Sequence, residues 1–107
     1  MGPTSYNAIK AALITHANGL SQSLGGKGIR VNTISPGPIF IEGGSWDRIK
    51  QGRPAMYEDA CKTHPGGQMG TAQDIANAAT FLASPAAKHV TGVNLVVDGG
   101  YTKRVNF

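Results

Sequence analysis

The sequence is poor in cysteine, in charge and in long apolar runs, and each shortage excludes a class of protein. One cysteine among 107 residues, Cys61, allows no internal disulfide and suits a reducing compartment, so we expect a cytoplasmic protein. No apolar run approaches the ~20 residues that a membrane-spanning helix needs. The N-terminus lacks a basic segment followed by an apolar core, so the sequence predicts no secretory signal and no membrane partner.

Metal and nucleic-acid sites are disfavoured as well. His16, His64 and His89 lie far apart without metal-ligand spacing, so we expect surface or structural residues and no metal. Cys61 has no nucleophile pattern around it and is expected to be a half-buried structural thiol. The net charge is +4, but the cations are scattered. A basic nucleic-acid binder is a weak alternative, which predicts steeply salt-dependent binding. We expect no such partner.

A tyrosine and a lysine stand four residues apart near the start, at the head of an alanine-rich apolar run. If this run is helical, Tyr6 and Lys10 leave the same face with Cβ atoms about 5–6 Å apart. A nearby ammonium lowers the pKa of a tyrosine, which can then exchange a proton with a substrate oxygen closer to neutral pH. The spacing also arises by chance on helix surfaces. Taken alone, it favours chance.

The first half of the sequence has the pattern of an α/β unit. Apolar spacings of three and four predict a helix over residues 4–24, with Thr4 or Ser5 as its N-cap and glycines at its end. Residues 29–35 form a β-branched run of strand length that ends at residues 36–38, Pro-Gly-Pro. Ligands of open α/β sheets bind beyond the carboxyl ends of strands. For this Pro-Gly alone, an ordinary turn is the better interpretation.

Residues 38–70 are the least regular segment, because glycine and proline interrupt them repeatedly. Two short helices fit between the breaks, at residues 45–51 and 55–62. A long connection in a compact domain is often a functional lid. A surface excursion whose aromatic residues pack on the body fits equally well.

The remaining sequence predicts one capped helix and one buried strand. Thr71 followed three residues later by Asp74 resembles a capping box, ahead of apolar residues with helical spacing. Residues 92–98 are almost continuously apolar, as in a buried parallel strand, and Gly99 and Gly100 close them. The fold class is therefore α/β.

These motifs, in this order and spacing, resemble the C-terminal portion of the classical short-chain dehydrogenases/reductases over essentially the whole chain. The stretches that carry the resemblance are residues 6–12 (YNAIKAA), 28–32 (GIRVN), 35–39 (SPGPI), 70–76 (GTAQDIA), 81–82 (FL) and 91–100 (TGVNLVVDGG). Each stretch alone is a weak signal. The ordered set favours the catalytic interpretation of Tyr6 and Lys10 and the ligand-binding interpretation of Pro36 and Gly37.

The resemblance implies specific roles. The fold would be the C-terminal part of a Rossmann-type doubly wound parallel sheet, and the cofactor NAD or NADP. Tyr6 would be the general acid/base, and Lys10 would lower its pKa and hydrogen-bond the nicotinamide ribose. Pro36, Gly37 and Ile39 would lie along the nicotinamide, with the Ile39 backbone near its carboxamide.

The resemblance also implies an assembly and a substrate class. Residues 38–70 would form the substrate loop over a small alcohol or carbonyl compound. The helix that carries Tyr6 would join a four-helix interface, and the last helix and strand a second one, in a homodimer or homotetramer. Neither the substrate, the choice between NAD and NADP, nor the reaction direction can be read from these residues.

The family's glycine-rich dinucleotide turn and its catalytic serine have no counterpart in residues 1–107. We therefore expect the chain to be the C-terminal portion of a single domain whose N-terminal half is absent, and to be inactive alone. We also expect it to fold poorly alone, since its first strand would present an unpaired edge. The alternative is a non-catalytic fragment that acts only through its oligomerisation surfaces.

Overall fold

The structure, a computed structural model, describes residues 3–105 and contains four α-helices and two β-strands in that range. The helices are α1 (Pro3–Leu24), α2 (Ser45–Gly52), α3 (Pro54–Thr63) and α4 (Ala72–Ala83), and the strands are β1 (Thr33–Pro36) and β2 (Asn94–Val97). Short 3₁₀ turns follow α1 and α4, at Gly25–Lys27 and Pro85–Ala87. Within residues 3–105, the search for a helix long and apolar enough to cross a membrane finds none.

The two strands are hydrogen-bonded neighbours that run in parallel. The Thr33 N–H donates to the Val93 carbonyl and the Gly37 N–H to the Val97 carbonyl, both at 2.9 Å. Alternate residues of β1 therefore donate toward β2. Pro36 falls between these positions, where its missing N–H costs no hydrogen bond. The strand thus includes Pro36, whereas the sequence predicted its end before that residue.

β1 begins later than the predicted residue 29, because side chains make most of the hydrogen bonds there, beside one main-chain bond from the Gly92 N–H to the Val31 carbonyl at 2.8 Å. The Val31 N–H donates to the Thr91 hydroxyl at 3.1 Å. The Asn32 side chain donates to the Val90 carbonyl at 2.9 Å and accepts from the Val93 N–H at 3.1 Å. Residues 31 and 32 are thereby fixed beside the segment before β2 without forming a regular strand.

β2 is also shorter than predicted, since Gly92 has a left-handed φ of 73°. Glycine adopts this conformation at little cost. A Cβ at this position would lie 2.7 Å from the Ser21 hydroxyl oxygen. Gly92 therefore serves a turn and lets the backbone approach α1 closely.

α1 begins at Pro3, so Thr4 and Ser5 lie inside its first turn, and the prediction that either is the N-cap is wrong. Proline suits the first helical position, where its ring presets φ and no N–H is needed. At the other end α1 stops at Leu24 before the glycines, as predicted. Gly28 ends the following turn with a φ of 75°, and its N–H donates to the Gly25 carbonyl at 3.0 Å.

The chain divides into two compact units, each with its own contacts. The first unit is Met1–Thr33 with Phe81–Leu95, and the second is Ile34–Thr80 with Val96–Phe107. Buried residues of the first unit are Ser21, Leu82 and Ala87, and those of the second are Ala60, His64 and Met69. In the second unit α2 and α3 pack against each other.

Candidate active site

Tyr6 and Lys10 lie one helical turn apart on α1, and the structure brings their side chains together. The Lys10 ammonium nitrogen is 5.6 Å from the centroid of the Tyr6 ring. A cation at this distance from a ring face is attracted to its π electrons. The Tyr6 side chain is 55% exposed. The pair is thus a phenol in contact with a cation, accessible to a reactant.

Gly37 lies directly after β1 and packs against the end of β2. Its N–H donates to the Val97 carbonyl at 2.9 Å. A Cβ built on Gly37 would lie 2.5 Å from the Asp98 Cβ and 2.8 Å from the Asp98 Cα. Only glycine fits here, and the preceding Pro36 is exposed. The Pro36-Gly37 backbone is therefore fixed against the Asp98 backbone.

Ile39 forms an isolated parallel bridge with Gly70. The hydrogen bonds of this bridge run from the Gly70 N–H to the Pro38 carbonyl at 3.2 Å and from the Phe40 N–H to the Gly70 carbonyl at 2.9 Å. In parallel pairing the backbone groups of the central residue point to the opposite side. The Ile39 N–H and carbonyl are therefore directed away from Gly70.

The Asp98 turn, residues 98–102, closes β2. The Asp98 carboxylate accepts hydrogen bonds from the Gly100 N–H, the Thr102 N–H and the Thr102 hydroxyl. These bonds stabilise the charged form, chiefly that from the Thr102 hydroxyl, and lower the pKa of Asp98 below its usual value. The Asp98 carboxylate is thus hydrogen-bonded within its own turn, to two backbone N–H groups and one hydroxyl.

His64 follows α3 and is only 2% exposed. Its Nδ1 lies 2.8 Å from the Ala60 carbonyl, which assigns the proton of a neutral ring to Nδ1. Among residues 3–105, Nε2 is the one fully buried side-chain nitrogen or oxygen without a hydrogen-bond partner. The ring packs on Tyr101, with centroids 4.9 Å apart and planes inclined by 44°. His64 is therefore a buried residue, not the surface residue that the sequence left equally open.

An aromatic cluster fills the segment between β1 and α4. The Phe40 and Tyr57 rings meet edge to face, with centroids 5.9 Å apart, and the Lys50 ammonium lies 5.4 Å and 5.2 Å from them. A cavity of about 260 Å³ lies beside this cluster and is lined partly by Cys61. Cys61 is half-buried, as expected, and its hydrogen bond with Tyr57 raises the pKa of that phenol.

The predicted site residues fall into two groups. Tyr6 and Lys10 belong to the first unit, whereas Pro36, Gly37 and Ile39 belong to the second. Within residues 3–105, no group of three or more histidine, cysteine, aspartate or glutamate side chains could hold a metal ion.

The sequence did not predict that the Asp98 carboxylate holds the turn after β2 together, or that His64 is buried. The Asp-Gly-Gly that follows an apolar strand is a readable signal for the Asp98 turn. No sequence pattern marks His64 as buried, because it stands among polar residues and glycines. Its burial results from contacts with residues far along the chain.

Comparison with known proteins identifies the family. A family model described as enoyl-(acyl carrier protein) reductase matches residues 1–102. The chain is 47% identical over 98 residues to isoepoxydon dehydrogenase of Aspergillus clavatus, covering 92% of this chain and 38% of that protein. An oxidoreductase of the short-chain dehydrogenase/reductase family from Burkholderia thailandensis superposes with a TM-score of 0.82 at 38% identity, covering 94% of this chain and 39% of the other. The chain belongs to the short-chain dehydrogenase/reductase family.

These matches also confirm the predicted fold class, part of a Rossmann-type α/β fold. The chain spans less than two fifths of the length of the curated relatives it matches, 38% for the Aspergillus protein. Among the similar structures, a 4-hydroxyisoleucine dehydrogenase is complexed with NADH and succinate and superposes with a TM-score of 0.78 at 33% identity, covering 94% of this chain and 39% of the other. Another similar structure holds bound NADP.

Proposed function

We propose that this chain is the catalytic portion of an NAD(P)-dependent oxidoreductase that interconverts an alcohol and a carbonyl compound. The observation that carries the proposal is the exposed Tyr6 phenol with the Lys10 ammonium 5.6 Å from its ring, in a chain of this family. A phenol beside a cation is suited to giving a proton to a carbonyl oxygen and taking one from an alcohol.

Tyr6 and Lys10 divide the proton chemistry between them. In the reducing direction the Tyr6 hydroxyl gives its proton to the substrate oxygen, and the Lys10 charge stabilises the phenolate that remains. In the oxidising direction the phenolate takes the proton back. When bound, the nicotinamide supplies or accepts the hydride at the substrate carbon. Lys10 would also hydrogen-bond the ribose of the cofactor.

The residues of the second unit fit the nicotinamide end of the cofactor. The Ile39 N–H and carbonyl point away from the bridge with Gly70 and are suited to an amide. Gly37 packs against Asp98, which fixes the backbone of Pro36, and Pro36 would lie along the nicotinamide. Similar structures bind NADH or NADP, so either nucleotide is proposed for this chain.

Residues 1–107 are proposed as the C-terminal portion of one Rossmann-type domain, with residues 38–70 as the substrate loop. The sequence contains no G-x-G-x-x-G turn for a dinucleotide pyrophosphate. We therefore expect the 107 residues alone not to turn over substrate, although they contain the proton donor.

A homodimer or homotetramer is proposed from the apolar surface of α1. Ile9 and Leu13 are 51% and 55% exposed, and Leu20 is 37% exposed. Apolar side chains spaced this way on one helix are suited to cover by further protein. The same surface supports the second candidate function, a non-catalytic chain that acts only through assembly.

The test compares the full-length gene product with its Tyr6→Phe variant. We expect the full-length product to oxidise NADH or NADPH in the presence of ketones or aldehydes, measured by the absorbance of the reduced nicotinamide. The rate of this oxidation should fall strongly in the variant. Sedimentation measures the assembly of both proteins. If the full-length product assembles but oxidises neither nucleotide with any substrate, the non-catalytic alternative is correct.

A further inference from the structure

We propose that His64 is a positioning residue that anchors the far end of the 38–70 loop to the backbone that supports Gly37. The inference rests on the proposed function, in which this loop covers the substrate. His64 is 2% exposed, so it would act on the loop through the Asp98 turn.

His64 is attached to its own helix through its Nδ1 atom. The Nδ1–H donates to the Ala60 carbonyl, one of the last carbonyls of α3, at 2.8 Å. Terminal helix carbonyls lack intrahelical donors, and a side-chain donor satisfies one of them. Because His64 is 2% exposed, water cannot replace this bond without opening the structure. The imidazole therefore fixes the end of α3.

His64 also packs against the Asp98 turn. The ring packs on Tyr101 at 4.9 Å, and a Cβ on Gly99 would lie 3.5 Å from His64 Cδ2. A Cβ on Gly100 would lie 3.1 Å from Pro65, the next residue of the loop. The turn therefore closes over His64 and Pro65 through its two glycines.

The Asp98 turn contacts the loop near both of its ends. Gly37, just before the loop, is packed on Asp98, and His64, near the loop's other end, is packed beneath Gly99 and Tyr101. Both ends thus rest on one turn of five residues, which Asp98 holds together through its bonds to Gly100 and Thr102. Loss of the His64 anchor should loosen the loop around His64, while Gly37 and the bridge between Ile39 and Gly70 keep their places.

Three substitutions in the full-length gene product separate the anchor from simple packing. The His64→Asn change places an amide donor where Nδ1 is, His64→Gln places an amide where Nε2 is, and His64→Ala removes both. His64→Asn keeps the bond to the Ala60 carbonyl but loses the ring contact with Tyr101, so we expect it to fall between the parent protein and His64→Ala. His64→Gln and His64→Ala leave the Ala60 carbonyl unpaired, and we expect tryptic cleavage after Arg48 or Lys50 to accelerate about tenfold. The exposed His89 provides the control, His89→Asn.

The kinetic readout distinguishes positioning from stability. We expect the KM for the carbonyl substrate to rise about tenfold in His64→Gln and His64→Ala, with an unchanged dissociation constant for the nucleotide. Mere structural loss would lower the melting temperature and the active fraction but leave KM alone. Parental cleavage rates and KM in His64→Ala would overturn the proposal, as would a His64→Asn variant as impaired as His64→Ala.

Failure of the proposed function gives a different result. Cleavage of the loop requires no redox activity. Faster cleavage in His64→Ala, in a protein that oxidises neither nucleotide, would keep the anchor and reject the oxidoreductase. An active protein in which His64→Ala changes neither the cleavage rate nor KM would keep the oxidoreductase and reject the anchor.

Discussion

The helix that carries Tyr6 and the segment that carries Gly37 are built in opposite ways. On α1 the side chains from Tyr6 to Leu13 are all exposed, including Ile9 and Leu13 at about half of their surface. Around Gly37, each position is set by a contact: the Val97 carbonyl, the Asp98 backbone and the bridge between Ile39 and Gly70.

The contrast separates the residues proposed to carry out proton transfer from the residues that hold the backbone in place. The proposed proton donor sits on a helix stabilised by its own backbone bonds, so its side chain can be changed without removing packing. The proposed nicotinamide contacts are backbone groups, and their positions depend on glycines and on the Asp98 turn. Substitutions on α1 should therefore change rates, whereas substitutions near Gly37 should change stability first.

The largest expected effect is that of Tyr6→Phe in the full-length gene product. The phenyl ring keeps the contact with Lys10 but has no proton to give, so we expect kcat to fall about 10²- to 10⁴-fold. Steady-state kinetics and thermal melting measure the two properties separately. An unchanged rate would remove Tyr6 from the mechanism. A marked loss of melting temperature would break the contrast, because it would show Tyr6 to be a packing residue.

Gly37→Ala is the corresponding change in the second unit. Its Cβ would meet Asp98 at 2.5 Å, so we expect a loss of stability of about 1–3 kcal/mol from the forced backbone shift. Gly66→Ala is the matched control, since a Cβ there meets nothing within 4 Å. Denaturant unfolding of both variants gives the difference. Equal stability of the two would mean that Gly37 has room, and that the support is looser than the structure indicates.

Much of this architecture was readable from local patterns. The α1 helix, both helices of the 38–70 segment and the Thr71–Asp74 capping box all follow from helical spacing and turn residues. The structure confirms the box: the Asp74 N–H donates to the Thr71 hydroxyl at 3.2 Å, and the Thr71 N–H to the Asp74 carboxylate at 2.8 Å. Tyr6 and Lys10 meet because four residues make one helical turn.

The parts that sequence reasoning missed depend on distant partners. The start of β1 is set by Asn32 and Thr91 side chains that displace the ladder, which no β-propensity records. His64 is buried because Gly99 and Tyr101, far along the chain, close over it. The roles of Tyr6, Lys10, Pro36, Gly37 and Ile39 stay predictions.

A smaller effect is expected at the Thr71 cap of α4. Thr71→Ala removes the hydroxyl that accepts from the Asp74 N–H and should cost about 0.5–2 kcal/mol, typically near 1. Thr71→Ser keeps the hydroxyl and should restore most of this. Denaturant midpoints of the two variants give the comparison with Gly37→Ala. A Thr71→Ala loss larger than that of Gly37→Ala would place the main support of this unit at α4 instead of the Asp98 turn.

The smallest and most local effect concerns the charge of Asp98. Hydrogen bonds, first that from the Thr102 hydroxyl, lower the pKa of this carboxyl from 3.8 in the folded state. A lowered folded pKa contributes stability above the unfolded pKa, and that stability is lost as the pH falls through the folded value. Thr102→Val removes the hydroxyl donor and should move the pKa of Asp98 upward, so that the turn loosens at a higher pH. Thr102→Ser keeps the donor and is the control, with the carboxyl carbon shift of Asp98 followed by NMR during an acid titration. Because His64 and Gly37 both rest on this turn, their resonances should shift over the same acidic range. Titration of Asp98 without any response at these two residues would show that the turn and the loop ends are not coupled.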